Sequence, residues 1–295
     1  MSEQKVGIVA DCVCDLPRGY IRKHKIELVY FLIETDHGVF SDTDEITDRN
    51  ILSYMESGGV KSQSFAPSPE VYRTVFENAL KNYDEIILLT VSSAISNSYI
   101  NASEAATAME EDGKRVHIWD SEHLSTGLGH LVVHAVKLAE AGKTAEEILK
   151  ELEALKPRVS TTFITMNADY LCRTGRVSKK VMKLCQTFHI HPVLAMKKGF
   201  ITLHSIGWGD YWKSCLRYIR KELRHPEQID KTRIFITHAG CSAAMIEKIK
   251  EEVQQRCPAE QVIVTKASAT VSSNCGPNTF GILYVRNRER NGEAC

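Results

Sequence analysis

The chain carries no surplus charge: 37 Lys and Arg are matched by 37 Asp and Glu over 295 residues. It also has no basic tail and no block of like charge, which removes the electrostatic footprint of a nucleic-acid or acidic-membrane binder. No apolar run approaches the roughly 20 residues that a membrane-spanning helix needs. The start, MSEQKVGIVAD, lacks the charged-then-apolar layout of a signal peptide, so the expected compartment is the cytoplasm. The nine cysteines contain no C-x-x-C pair and are scattered from Cys12 to Cys295, so neither a disulfide framework nor a zinc site is expected. His130 and His134 stand one helical turn apart, where a buried helix face or solvent is the expected environment rather than a metal. A Walker loop, a G-x-G-x-x-G motif and a G-x-S-x-G elbow are all missing, and no glycine occurs between Gly59 and Gly113. No cofactor is expected.

What is present is a rhythm of short apolar runs and helical patterns. Val6 to Ala10, Ile26 to Ile33, Glu85 to Val91 and Arg115 to Trp119 read as strands. Ser68-Pro69-Glu70 is a helix start, with a capping serine, proline in the first turn and an acid at the positive end of the dipole. Further helices are expected after Val91, over Thr126 to Ala141, and from Lys143 to near Pro157. Strand alternating with helix implies a parallel sheet covered on both faces. From Val159 the rhythm changes. The strands His191 to Met196 and Phe200 to Ile206 are joined by Lys197-Lys-Gly199, a hairpin signal that does not fit a purely parallel sheet. A helix is expected over Ser178 to Phe188, and later elements over Asp210 to Leu223, Arg233 to Thr237, Cys241 to Gln255, Val262 to Lys266 and Ile282 to Val285. The expectation is an α/β chain of two domains: a Rossmann-like parallel-sheet unit over 1–157 and a mixed-sheet unit over 158–295.

Ligands of open parallel sheets bind beyond the carboxyl ends of the strands. Three such ends carry polar turns: Asp11-CVCD-Asp15, Ser92-SAISNS-Ser98 and Asp120-SEHLS-Ser125. Six of the ten residues from Thr90 to Tyr99 bear hydroxyls and none is charged. Neutral donors without Lys or Arg suit a small anionic group, and the same serines equally suit plain caps and turns. The competing chemistry is a serine-dependent acyl hydrolase using Ser93 or Ser96, with His117 and His123 near the Asp120 turn. It lacks both an elbow and an oxyanion-hole signal.

The residues resemble the DegV family. VGIVADCVCDLP is similar to its D-S-x-x-D-L-P start, and Asp42 follows Phe40-Ser41 as in its Y-x-D segment. Ser64-FAPS-Ser68 stands for T-S-Q-P-S, Ser92-SAISNSY for S-S-x-L-S-G-T-Y, and Asp120-Ser121 for a D-S pair. Tyr170-LCRTGRV resembles Y-L-x-K-G-G-R-I, and Asn274-CGPN resembles H-x-G-P-G. The resemblance implies one long-chain fatty acid, about C14–C18, held between two α/β domains. It implies carboxylate contacts from Ser64 and Ser96, with Ser93 and Asn274 beside them, and supporting roles for Asp11, Ser68, Asp120, Ser121, Arg176 and Gly276. Some members present the acid to a separate ATP-dependent fatty acid kinase subunit, so the implied protein is a lipid binder rather than an enzyme. This chain departs from the pattern at Asn274 and Asn278, which replace the histidine and final glycine of H-x-G-P-G. It departs again at Phe65 and Ala66, at Asn97 in the S-G-T core, at His191-Pro192, and at Ser205-IGWGD-Asp210, which lacks the arginine often present there. An asparagine can hydrogen-bond a carboxylate but cannot take up a proton beside a developing acyl phosphate.

Overall fold

The computed structural model describes residues 5–59, 62–110, 115–167, 169–173 and 190–288. Strands β1 (Val6–Asp11), β2 (Glu27–Val29), β6 (Glu85–Thr90) and β7 (Arg115–Asp120) form a parallel sheet in the order β2-β1-β6-β7. Every residue of β1 and β6 is buried, as central strands with covered faces require. Helices α3 (Pro69–Ala79) and α4 (Ser98–Glu110) bring Tyr72, Phe76, Ala102 and Met109 onto Val9, Ile86 and Leu88. Alternation sends Ile8, Ile87 and Leu89 to the other face, where Leu128, Leu131 and Val132 of α5 (Ser125–Glu140) cover them.

A second sheet is mixed, as the hairpin signal anticipated. Its order is β10 (Phe200–Trp208), β9 (Ile190–Lys197), β8 (Val159–Ile164), β13 (Thr279–Arg286), β11 (Ile229–Ala239) and β12 (Val262–Lys266). Only β11 and β12 are parallel neighbours. Tyr218 and Ile219 of α8 (Tyr211–Glu222) and Ile246 and Ile249 of α9 (Ala243–Arg256) cover its outer face. The inner face packs on α5, which therefore lies between the two sheets. Glycine permits that closeness: a Cβ on Gly127 would stand 2.0 Å from Thr161 Oγ1, and one on Gly129 would stand 2.7 Å from the Cys14 carbonyl.

The expected single strand over Ile26 to Ile33 is in fact two. Val29 pairs with Asp11, the last residue of β1, so the parallel ladder runs out there. The chain turns away, and β3 (Leu32–Thr35) pairs antiparallel with β4 (Gly38–Ser41) and β5 (Ser62–Phe65) in a small third sheet. Helix α2 (Asp48–Glu56), capped by Thr47, and the short α7 (Asp169–Arg173) and α10 (Ala269–Cys275) were not anticipated either. The helix expected over Ser178 to Phe188, and Arg176 before it, lie outside the described residues.

Three buried aspartates tie these layers. Asp11 accepts from the Tyr72 hydroxyl (2.9 Å), the Val91 amide (2.8 Å) and the Ser98 hydroxyl. Asp15 accepts from the Ser125 hydroxyl at 2.6 Å and the Ser268 amide at 2.8 Å. Asp42 accepts from the amides of Ala269 (3.1 Å) and Thr270 (2.9 Å), which are otherwise orphaned at the start of α10. Each is a charge-assisted bond taken out of water, worth about 1.5–3 kcal/mol. Asp42→Ala should therefore lower the unfolding free energy by about 3 kcal/mol or more in urea. Asp44→Ala, which breaks only the exposed pair with Arg18, should leave it nearly unchanged.

Candidate ligand-binding site

A cleft opens where the carboxyl ends of the parallel strands face the inner surface of the mixed sheet. One wall comes from the loops after β1, β2, β6 and β7: Val13, Phe31, Val91, Ile95, Ser96 and Leu124. The opposite wall uses mainly the odd-numbered residues of three neighbouring strands, among them Phe163, Ala239 and Leu283, together with Thr162 and His238. Pairing brings Gly281 between Phe163 and Thr237, and the missing side chain leaves room there. Helix α10 closes the third side with Thr270, Val271, Asn274 and Cys275. The cleft contains about 810 Å³ of unfilled space, its open mouth included. Its lining is overwhelmingly apolar.

The threonines on this wall do not make it polar. Thr161 Oγ1 bonds His123 Nδ1 at 2.9 Å, and Thr237 Oγ1 bonds Thr126 Oγ1 at 2.6 Å and Thr265 Oγ1 at 2.8 Å. Thr279 Oγ1 donates to the Cys275 carbonyl at 3.0 Å. With those hydroxyls engaged, each threonine offers the cavity mainly a methyl group.

The anticipated polar residues separate into two groups. Ser96 and Asn274 line the cavity, and Ser64 stands just behind it: Asn274 Nδ2 donates to Ser64 Oγ at 3.0 Å across 210 residues of sequence. Alternation in β5 turns Ser64 inward while Gln63 and Phe65 face out. Ser96 Oγ accepts the Ser98 amide at 3.2 Å, and its own hydrogen has no acceptor among the described residues. The second group is structural in geometry. Ser93 is exposed, and both its amide (3.1 Å) and its hydroxyl donate to Asp120. Ser68 supplies the backbone cap of α3 without a side-chain cap bond. Ser121 bonds the backbone of His123 in a local turn. Gly276 ends α10 at φ +76°, where a Cβ would come within 2.2 Å of the Tyr170 ring. Asn278, at the family's glycine, has φ +56°, a left-handed conformation that asparagine tolerates better than most residues.

Among the described residues no serine–histidine side-chain pair forms. His123 bonds Thr161 and the Lys156 carbonyl (3.1 Å), and burial drives its pKa down to about 4. His117 bonds Glu85 at 2.7 Å, at the opposite end of the sheet. The acyl-hydrolase alternative is thereby set aside. The described cysteines are free thiols, and no group of metal-ligating side chains assembles among the described residues. None of the described helices is long and apolar enough to cross a membrane.

Sheet order and cavity together define a three-sheet α/β protein that encloses an apolar space between its parallel and mixed sheets, with a few neutral polar groups on its wall. The family model described as "Uncharacterised protein, DegV family" matches residues 5–287, and the chain belongs to that family. Among curated relatives, a DegV domain-containing protein of Caldanaerobacter subterraneus is 23% identical, covering 95% of this chain and 99% of its own. One of Streptococcus pyogenes serotype M1 is 26% identical, covering 90% and 94%. Among solved structures, a Thermus thermophilus DegV family protein described for its fatty acid binding matches with TM-score 0.85 and 25% identity, covering 96% of this chain and all of that one. The Streptococcus pneumoniae Fatty Acid Kinase B3 protein, loaded with linoleic acid, matches in fold with TM-score 0.83 and 21% identity, again covering 96% and 100%.

The buried Asp11 and Asp15 should make the protein's stability depend on pH. Burial raises the Asp11 carboxyl to about 6 despite its three donors. Burial raises Asp15 to about 7, with the Asp42 charge adding to the effect. Both hold a proton more tightly folded than unfolded, so the stability they contribute is complete below about pH 4 and drains as the pH rises through 6 to 7. Asp15→Asn keeps an acceptor for Ser268 and offers the Ser125 oxygen a donor. It should flatten the fall in unfolding free energy between about pH 4.5 and 8 by roughly 2–4 kcal/mol. An unaltered slope in the variant would remove Asp15 as its source.

Proposed function

We propose that this chain binds one long-chain fatty acid, roughly C14–C18, with its hydrocarbon in the cavity and its carboxylate at the Ser64, Ser96 and Asn274 end. It performs no chemistry of its own and works in the cytoplasm, as a carrier or as the subunit that presents the acid to a separate kinase. The observation that carries the reading is the cavity itself: its lining is overwhelmingly apolar, with uncharged polar side chains such as Ser96 and Asn274 among it. The match to the fatty-acid-binding Thermus thermophilus protein supports it.

The energetics fit such a ligand. Burying about 14 methylenes at roughly 0.8 kcal/mol each is worth on the order of 11 kcal/mol, against some 4–15 kcal/mol for association and chain ordering. The wall therefore supplies most of the affinity. The hydroxyls mainly offset the cost of desolvating the carboxylate. They also leave its oxygens nucleophilic, which a lysine would not.

Two measurements test the reading. Protein unfolded to release its contents should yield a stoichiometric C14–C18 acid by mass spectrometry, and added palmitate should bind. Finding neither would sink the proposal. Ser96→Ala should weaken palmitate about ten- to hundredfold, the loss of one donor to a charged acceptor, with little change in stability.

The likeness to the kinase B3 protein favours the presenting role as a second reading. In phosphoryl transfer to the carboxylate, Asn274 offers no proton to offset developing charge. Asn274→His should speed acyl-phosphate formation with a kinase subunit that demonstrably forms a complex with this protein. Equal rates for the two proteins within that complex would show that Asn274 is no handicap.

A further inference from the structure

Asn274 has no amide hydrogen left for a ligand. Its Nδ2 lies 2.6 Å from the Thr270 carbonyl and 3.0 Å from Ser64 Oγ. A carbonyl only accepts, so the nitrogen must be the atom facing it, and the amide's second hydrogen goes to Ser64. Asn274 thereby positions Ser64 and leaves the adjoining wall short of one donor.

Thr270 stands where that donor is needed. It precedes Asn274 by four residues, so the two project from the same face of α10. Asp42 holds its backbone amide, and its carbonyl accepts from Asn274 and, at 2.8 Å, from Ser273. Thr270 is only 5% exposed and lines the cavity, yet its Oγ1 is buried with no hydrogen-bond partner among the described residues. Such an atom costs stability in the empty protein. Among the described residues, Ser62 Oγ and His238 Nδ1 are also unpartnered. Ser62 does not line the cavity; His238 does, but alternation turns its ring to the strand face opposite Thr237, where Lys266 and Asp48 are its charged neighbours. Thr161, Thr237 and Thr279 use their hydroxyls elsewhere. Thr270 does not.

We infer that Thr270 is a specificity-determining contact: its hydroxyl donates to the carboxylate of the bound acid and favours a free acid over an uncharged lipid of the same length. The inference rests on the fatty-acid reading above. A hydrogen bond to a charged acceptor is about twice as strong as one to a neutral group, so the contact discriminates as well as binds.

Wild type, Thr270→Val and Thr270→Ser are titrated with palmitate and with hexadecanol. Valine keeps the shape and removes the hydroxyl, so palmitate should weaken about ten- to hundredfold and hexadecanol only a few-fold. Serine should restore palmitate to within a few-fold of wild type. The unliganded valine variant should melt no lower than wild type, because it removes a buried unsatisfied group. Palmitate binding undiminished in Thr270→Val would overturn the contact while leaving the fatty-acid reading intact. Equal losses for acid and alcohol would reduce Thr270 to a packing role and overturn the donor assignment. A wild type that binds no palmitate would remove the fatty-acid reading and this inference with it.

Discussion

Two carboxylates near the N-terminus hold a short helix that lies more than 200 residues away in sequence. Asp15 takes the amide of Ser268, and Asp42 takes those of Ala269 and Thr270. Seven residues of Ser, Ala, Thr, Val, Asn and Cys would not form a stable helix alone, since nucleation is costly and there are too few bonds to recover it. The aspartates supply the missing partners at its open end, where the dipole also favours negative charge. Placing α10 sets the cavity's third wall and the positions of Thr270 and Asn274. Through Asn274 it also fixes the orientation of Ser64. A buried carboxylate deprived of such donors is expensive, so the coupling acts in both directions.

The cavity's character follows from how hydroxyls are spent. Threonine is abundant on the inner face of the mixed sheet, and by composition alone that face would look polar. Packing against α5 and the loops engages Thr161, Thr237 and Thr279, and what remains toward the cavity is largely methyl. The cavity's polar side chains that the sequence or the packing singles out, Ser96, Thr270 and Asn274, are all uncharged. An apolar space with a few neutral polar groups on its wall is an arrangement that suits an amphiphile with one anionic group.

Much of this was legible in the residues. Strands such as Val6–Asp11 and Glu85–Thr90 are continuous apolar runs, and Lys198 and Gly199 adopt the positive φ angles that the hairpin signal called for. The helix start at Ser68-Pro69 and the hydroxyl-rich turn after β6 both stand where the pattern placed them. The third sheet was not legible: its three strands have four residues each and half-exposed faces, too short for a period-two pattern to emerge. Helix α10 was missed because Ser, Ala and Thr give no hydrophobic periodicity. Its one local signal is Ser268 before it and Gly276-Pro277 after it, a cap and a stop.

By itself the sequence determined the alternation of elements, the parallel and mixed halves, and the absence of any cation in the polar turns. These are local properties, carried by residues within one turn or one strand of each other. Only tertiary structure decided which hydroxyls face a ligand and which are consumed. Ser93 and Ser96 are three residues apart in the same turn, yet one is taken by Asp120 and the other lines the cavity. Thr270 looks like Thr237 or Thr279 in the sequence, and differs because no partner among the described residues reaches its oxygen. Hydrogen-bond satisfaction depends on what arrives from elsewhere in the chain, and no local pattern records that.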